Sequence, residues 1–303
     1  MRRRILLSIA IGTACSFALA STSGRSAAAA PVSPVRAAFY YPWYPGAWKQ
    51  QKMDPFTKYH PSLGLYNGGS PSVVAEQVAT MRRAGLSALI ASWFGPGSST
   101  DAHIPTIASV LRRPAFAGFK FALYYEVGNG LPSLPKMRAD LGYALRRYAT
   151  SGSYLRVDGK PVLFVYNASP DGASCRGAAE LEDAAAGRFY LNLKIFVGFR
   201  QCAAQPNSWH QYGPAVRESR VPGYADSISP GFFKASESAP RLARDVGAWA
   251  KAAKDMVRSD DTWQLVTTFN EWGEGTAVEQ SREWGTSYLD VLRAAIRAHA
   301  GRP

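Results

Sequence analysis

The chain has 303 residues, 47% of them hydrophobic and 19% charged, which gives a sizeable core and excludes a disordered chain. Its formal charge of +13 includes four arginines and no acid within residues 1–30, so the rest carries +9. That excess implies loose attraction to anionic cell-wall polymers; with no long basic run or nucleic-acid module, nucleic acid is not an expected partner.

Residues 1–30 read as a secretion signal with a small-residue leader, and 31–303 as one folded domain. Arg2-Arg3-Arg4 precedes an apolar and small-residue stretch, Ile5 to Ala20, with cleavage signals after Ala20 or near Ala30. The stretch is short and broken by Gly12, Thr13 and Ser16, so no stable membrane span is expected. The expected destination is extracellular, by the general secretory or the twin-arginine route. Gly12-Thr13-Ala14 matches a lipoprotein signal poorly, so Cys15 is not expected to carry a lipid. Two cysteines remain, Cys175 and Cys202, either as a disulfide clipping neighbouring loops or as a free buried pair. No histidine–cysteine cluster has the spacing of a metal site, and no cofactor is expected.

From there strand-like and helix-like segments alternate. Strands are expected at Ala37–Trp43, Leu86–Phe94, Lys120–Glu126 and Val162–Tyr166, the last as the second arm of a hairpin turning at Val157-Asp158-Gly159-Lys160. Three more are expected at Lys194–Phe199, Asp226–Pro230 and Thr267–Trp272. Helices fall between Ser70 and Gly85, Asp101 and Arg113, Ser133 and Tyr148, Ala178 and Ala186, and Glu237 and Val257. A final helix carries Tyr288, Leu292, Ala295 and His299 on one face. Seven strands without a glycine-rich nucleotide fingerprint point to a single (β/α)8 TIM-type barrel in the α/β class, its eighth strand hidden within residues 200–236.

In such a barrel the chemistry collects at the strand C-terminal ends. These read Tyr40-Tyr41-Pro42-Trp43, Ser92-Trp93, Tyr125-Glu126, Tyr166-Asn167, Ser229-Pro230 and Asn270-Glu271-Trp272, the aromatics and carboxylates of a sugar cleft. Glu271 and Glu274 stand three residues apart, and Gly273 and Gly275 let the chain turn so that both face one side. A carboxylate pair beside an indole is what glycoside hydrolysis needs, an acid for the leaving oxygen and a second group at the sugar. His60 lies on a loop rising from the first strand, open between a substrate contact and a solvated side chain. Trp48 and Trp209 are open between cleft wall and packing.

The chain resembles glycoside hydrolase family 99 and family 99-like proteins, the endo-α-mannosidase group. The likeness is carried by Phe39-Tyr40-Tyr41-Pro42-Trp43-Tyr44, His60-Pro61, Met81 to Gly85, Ser92-Trp93-Phe94-Gly95, Tyr124-Tyr125-Glu126, Pro161 to Tyr166, Ser229-Pro230-Gly231 and the run Phe269 to Thr276. It implies a metal-free (β/α)8 barrel that cuts α-mannosidic links internally, with retention, on a polysaccharide or oligosaccharide. By the same likeness Glu271 deprotonates the sugar 2-hydroxyl, which closes a 1,2-anhydro ring, and Glu274 serves as acid and then base. Such a pair wants Glu274 protonated and Glu271 ionised at the start. Glu126 and Trp93 are then expected on the sugar, with Tyr41, Trp43, His60, Tyr166, Asn270 and Trp272 as further binding candidates. Gly273 stands where the family usually has His and Val127 where Pro often follows the Tyr-Glu pair, which leaves another α-glycan, or a non-catalytic glycan-binding barrel, as alternatives.

Overall fold

The computed structural model describes residues 34–128, 130–166 and 173–301. The predicted leader and Asn167 lie outside the described residues. Ser33–Pro303 fold as one compact unit. Its strands are β1 (Val35–Tyr40), β2 (Ala88–Trp93), β3 (Lys120–Glu126), β4 (Arg156–Val157), β5 (Lys160–Tyr166), β6 (Tyr190–Lys194), β7 (Ser208–His210), β8 (Glu218–Val221), β9 (Ala225–Ile228) and β10 (Trp263–Val266). The helices are α1 (Pro71–Arg83), α2 (Ser99–Leu111), α3 (Leu134–Arg147), α4 (Cys175–Ala185), α5 (Val246–Arg258) and α6 (Ser287–Ala300).

The sheet runs β7-β6-β5-β3-β2-β1-β10-β9-β8. All these pairings are parallel except the last, in which β8 lies antiparallel to β9. The ladder is open between β7 and β9, whose Cα atoms still approach within 8 Å, so the barrel is nearly closed. The hidden strand is β7. Asp158 and Gly159 both take positive φ in the β4–β5 hairpin, as a two-residue turn between twisted strands requires.

Period-two alternation divides the barrel into two apolar layers. Ala37, Phe39, Ile90, Tyr124, Phe164 and Trp263 pack on one another in the lumen, and aromatic edges fill it: Phe39 to Tyr124 is 4.8 Å between ring centroids, Phe164 to Trp263 5.0 Å. Tyr40, Leu89, Trp93, Leu123, Tyr125 and Val165 face the helices. This phase decides which strand-end residues reach the site.

Three elements depart from the sequence expectations. The fifth main strand is Tyr190–Lys194 rather than Lys194–Phe199. Its lumen residue is polar, Asn192, which breaks the apolar run that marks a buried strand; Asn192 Oδ1 meets His210 Nδ1 at 3.0 Å inside the barrel. Helix α5 starts at Val246 because Asp245 caps it, accepting from the Ala248 N–H at 2.8 Å, while Leu242 pairs with Phe232. Strand β10 ends at Val266, so the Glu271–Glu274 run is a loop.

Cys175 and Cys202 form a disulfide that joins the start of α4 to the segment after β6. Their separation of 27 residues gives, from loop entropy, about 3–4 kcal/mol. The variant with both cysteines replaced by Ser is therefore expected to melt several degrees below the parent under oxidising conditions. Under reducing conditions the two should melt alike, which differential scanning calorimetry with and without dithiothreitol would check.

Candidate active site

The loop after β10 is tied closed at its neck. Thr268 N–H donates to the Thr276 carbonyl at 3.1 Å, and their hydroxyls meet at 2.9 Å. Inside the loop, Glu271 N–H donates to Thr268 Oγ1 at 2.8 Å and Thr276 N–H to the Glu271 carbonyl at 3.2 Å. The segment after β9 braces it from outside: Phe233 N–H donates to the Glu274 carbonyl at 2.9 Å and Ala235 N–H to the Gly273 carbonyl at 2.8 Å. Gly275 has φ +67°, and a Cβ there would lie 2.7 Å from the Phe233 carbonyl oxygen, so both conformation and space require glycine.

A cavity of about 250 Å³ opens at the C-terminal ends of the strands, lined by Tyr41, Trp43, Phe94, Glu126, Gly128, Tyr166, Tyr212, Glu271 and Glu274. Tyr41 and Trp43 stack at 4.6 Å and Trp43 and Phe94 at 6.2 Å, forming an aromatic wall. Opposite, Tyr41 Oη donates to Tyr212 Oη at 2.9 Å, and Tyr212 Oη to Glu274 Oε2 at 3.2 Å.

Of the residues expected from sequence, Tyr41, Trp43, Glu126, Tyr166, Glu271 and Glu274 converge here. Trp93 does not. It ends β2 on the outward phase, fully buried, its Nε1 donating to Asp101 Oδ1 at 2.7 Å and its ring stacked on Tyr143. The next residue, Phe94, reaches the cavity instead. Asn270 is also fully buried, bonded to both backbone groups of Tyr41 (2.7 and 3.0 Å), and so positions the loop rather than meeting a ligand. Trp272 lies beneath the loop, donating to Tyr66 Oη at 3.1 Å and Glu279 Oε2 at 3.0 Å. His60 is exposed and bonded through Nδ1 to Glu283 at 2.7 Å, outside the cavity lining. Trp48 and Trp209 are buried packing residues. Tyr212, Phe94 and Gly128 were missed. Tyr212 sits two residues past the short β7, where little strand signal exists, whereas Phe94 could have been found by counting alternation from Ile90.

Three carboxyls share this cavity, and burial is the leading cause of upward pKa shifts in all three. Glu126 is pushed up to about 8, with Glu274 nearby adding to the effect. Glu271 is raised well above the usual range by burial and then by Glu274, while the amides of Gly273 and Glu274 favour its ionised form. Glu274 is raised too, with the Tyr212 hydroxyl, Lys234 and Arg241 favouring its charge. The expected division, Glu274 alone raised, is therefore not what burial produces: all three are raised. Partial protonation of the cluster is the physical consequence of packing three like charges into one partly dry space.

The family model described as Glycosyl hydrolase family 99 matches residues 32–172, a span that contains Tyr41, Trp43, Glu126 and Tyr166 but not the Glu271–Glu274 pair. The chain is 22% identical to the glycoprotein endo-alpha-1,2-mannosidase-like protein of Mus musculus over 82% of its own length and 64% of that protein. It is 23% identical to the glycoprotein endo-alpha-1,2-mannosidase of Xenopus laevis over 75% of its length and 59% of that protein. Residues 32–172 are thus similar to glycoside hydrolase family 99. Among solved structures, the GH99 endo-alpha-mannosidase from Bacteroides thetaiotaomicron superposes with a TM-score of 0.70 at 18% identity, covering 88% of this chain and 97% of that one. The likeness establishes a shared (β/α)8 fold. The chain spans about three-fifths of the length of these curated relatives.

The raised pKa of Glu126 fixes the sign of a pH effect on stability. Glu126 binds its proton more tightly folded than unfolded, so its contribution is fully present below the unfolded value near 4.5 and is lost as pH rises through about 8. Glu126→Gln is accordingly expected to raise the melting midpoint by a few degrees at pH 8.5 and to leave it little changed at pH 4. Calorimetry across that range would check it.

Proposed function

We propose that this chain is a retaining glycoside hydrolase that cuts α-mannosidic or related α-linked glycans internally. The observation that carries the proposal is the convergence of Glu126, Glu271 and Glu274 against an aromatic wall in one cavity at the C-terminal face of the barrel. Aromatic faces suit the apolar faces of sugar rings, and the carboxyls supply proton transfer. The similarity to endo-alpha-1,2-mannosidases favours an α-mannoside as substrate. Export of the chain is part of the proposal and rests on residues 1–30.

In the first step Glu271, in the ionised form that the Gly273 and Glu274 amides favour, takes the proton of the sugar 2-hydroxyl as that oxygen attacks the anomeric carbon. Glu274 protonates the departing glycosidic oxygen, leaving a 1,2-anhydro sugar. Glu274, now ionised, deprotonates water, which opens the three-membered ring at the anomeric carbon, and Glu271 returns the proton to the 2-oxygen. Two inversions give net retention. A sugar hydroxyl is a weak acid, so a base raised by burial is more useful than an ordinary carboxylate. Tyr212 holds Glu274 in a fixed direction, and Glu126, protonated below about pH 8, supplies a hydrogen-bond donor to a sugar oxygen. Gly273 stands where the family usually has His, so an endo-hydrolase of another α-glycan is the second reading.

Glu271→Gln and Glu274→Gln are each expected to lower turnover by roughly 10²–10⁴-fold while retaining oligosaccharide binding. Assay on α-mannans and α-glucans, with NMR of the first-formed anomer, would test both the residues and the stereochemistry. Parent-like hydrolysis by either variant would remove that residue from the reaction, and an inverted product would exclude the anhydro route. Binding without turnover of any glycan would point to a glycan-binding barrel.

A further inference from the structure

Gly273 does not have positive φ, so its backbone would accept any L residue. The space beside it would not. A Cβ at this position would lie 2.8 and 2.9 Å from two ring carbons of Phe56 and 3.1 Å from Glu271 Oε1. The ring edge and the carboxylate therefore border the same methyl-sized space.

Neither side of that space is free to retreat. Phe56 is buried, its N–H donates to the Trp48 carbonyl at 2.7 Å, and Trp48 is itself packed against Tyr44. The adjacent Thr57 hydroxyl donates to the Trp272 carbonyl at 3.2 Å, docking the Phe56 loop on the Glu271 loop. On the far side, the Gly273 carbonyl is held by Ala235 N–H at 2.8 Å. Phe56 lies outside the cavity lining, whereas Glu271 lies within it.

We infer that Phe56 is a positioning residue for Glu271: it fills the space that Gly273 leaves open, fixes the carboxylate and keeps water from that side. The charged and titratable groups facing Glu271 are Glu274 on its own loop, Glu126 at the end of β3, Tyr41 and Tyr44 after β1, and Tyr212 after β7. All carry a neutral or negative form, so beyond the amides of Gly273 and Glu274 the ionisation of Glu271 depends on how far water reaches it. The functional meaning of this inference rests on the hydrolase reading, but its test uses no substrate.

The test is a carbon-13 NMR titration of the Glu271 side-chain carboxyl, assigned through Glu271→Gln, together with melting curves. Phe56→Ala is expected to move the Glu271 titration down by about one pH unit or more, and Phe56→Leu, which keeps an apolar filler, by much less. Gly273→Ala should lower the melting midpoint, and the Phe56→Ala/Gly273→Ala double variant should melt higher than the sum of the two single losses predicts. An unchanged Glu271 titration in Phe56→Ala overturns the inference; if Phe56→Ala does not fold, an unchanged titration in Phe56→Val, which removes the ring but keeps apolar packing, does so. Strictly additive melting losses also overturn it. Failure of the parent to cleave any glycan would strike the hydrolase reading and leave these measurements standing.

Discussion

The pair of hydrogen bonds between the Asn270 side chain and the backbone of Tyr41 is the constraint on which the site depends. Oδ1 accepts from the Tyr41 N–H and Nδ2 donates to the Tyr41 carbonyl, so one amide satisfies both polar groups of a residue just past the end of β1. The arrangement is buried, where an unmet amide costs about 1–3 kcal/mol. Because both bonds must be made together, the loop after β10 has one register relative to β1. Glu271 follows Asn270 directly and inherits that placement. Tyr44 adds a second fixing point, donating from Oη to the Asn270 carbonyl at 2.9 Å and accepting from Trp272 N–H at 3.1 Å.

Below this joint lies a second polar network with the opposite purpose. Glu279 is buried, its pKa lifted by burial to about 7, and it accepts from Gln77 Nε2 at 2.8 Å, Tyr66 Oη at 2.7 Å and Trp272 Nε1 at 3.0 Å. Three side-chain donors meet one carboxyl here, whereas Glu274 in the cavity meets one, the Tyr212 hydroxyl. The contrast separates structure from chemistry among acids of similar burial. A satisfied acid stiffens the support under Trp272.

Much of this was legible in the sequence, and the misses have a common origin. Helix–strand alternation yielded the barrel because each βα unit leaves an amphipathic signature. The position of Glu126 was legible because it ends a strand whose phase is set by apolar residues. Trp93 was misplaced when its aromatic chemistry was weighed above that same phase, which sends Ser92 inward and Trp93 toward Asp101 on α2. Asn270 and Trp272 look like ligand groups by residue type, yet both spend their polar atoms on the protein, and a partner 229 positions away along the chain cannot be read from spacing. Tyr212 was invisible for another reason. It follows a three-residue strand whose pairing is set by β6 and by the barrel's curvature, not by local propensity.

The two glycines of the Glu271–Glu274 loop make the same point at the scale of single atoms. Gly275 is required by backbone conformation and by the Phe233 carbonyl; Gly273 is required only by a neighbour, Phe56. Equal letters in a motif therefore answer to different physical demands, one intrinsic to the loop and one imposed by the segment after β1. The loop's shape is a joint product of the segments that follow β1, β7, β9 and β10. The barrel supplies a rigid rim, while residues from those segments set how dry each carboxyl is and which way it points. The aromatic wall and the residues that hold this loop lie at or past the strand ends, so the cavity's lining is set apart from the pairing that holds the barrel together.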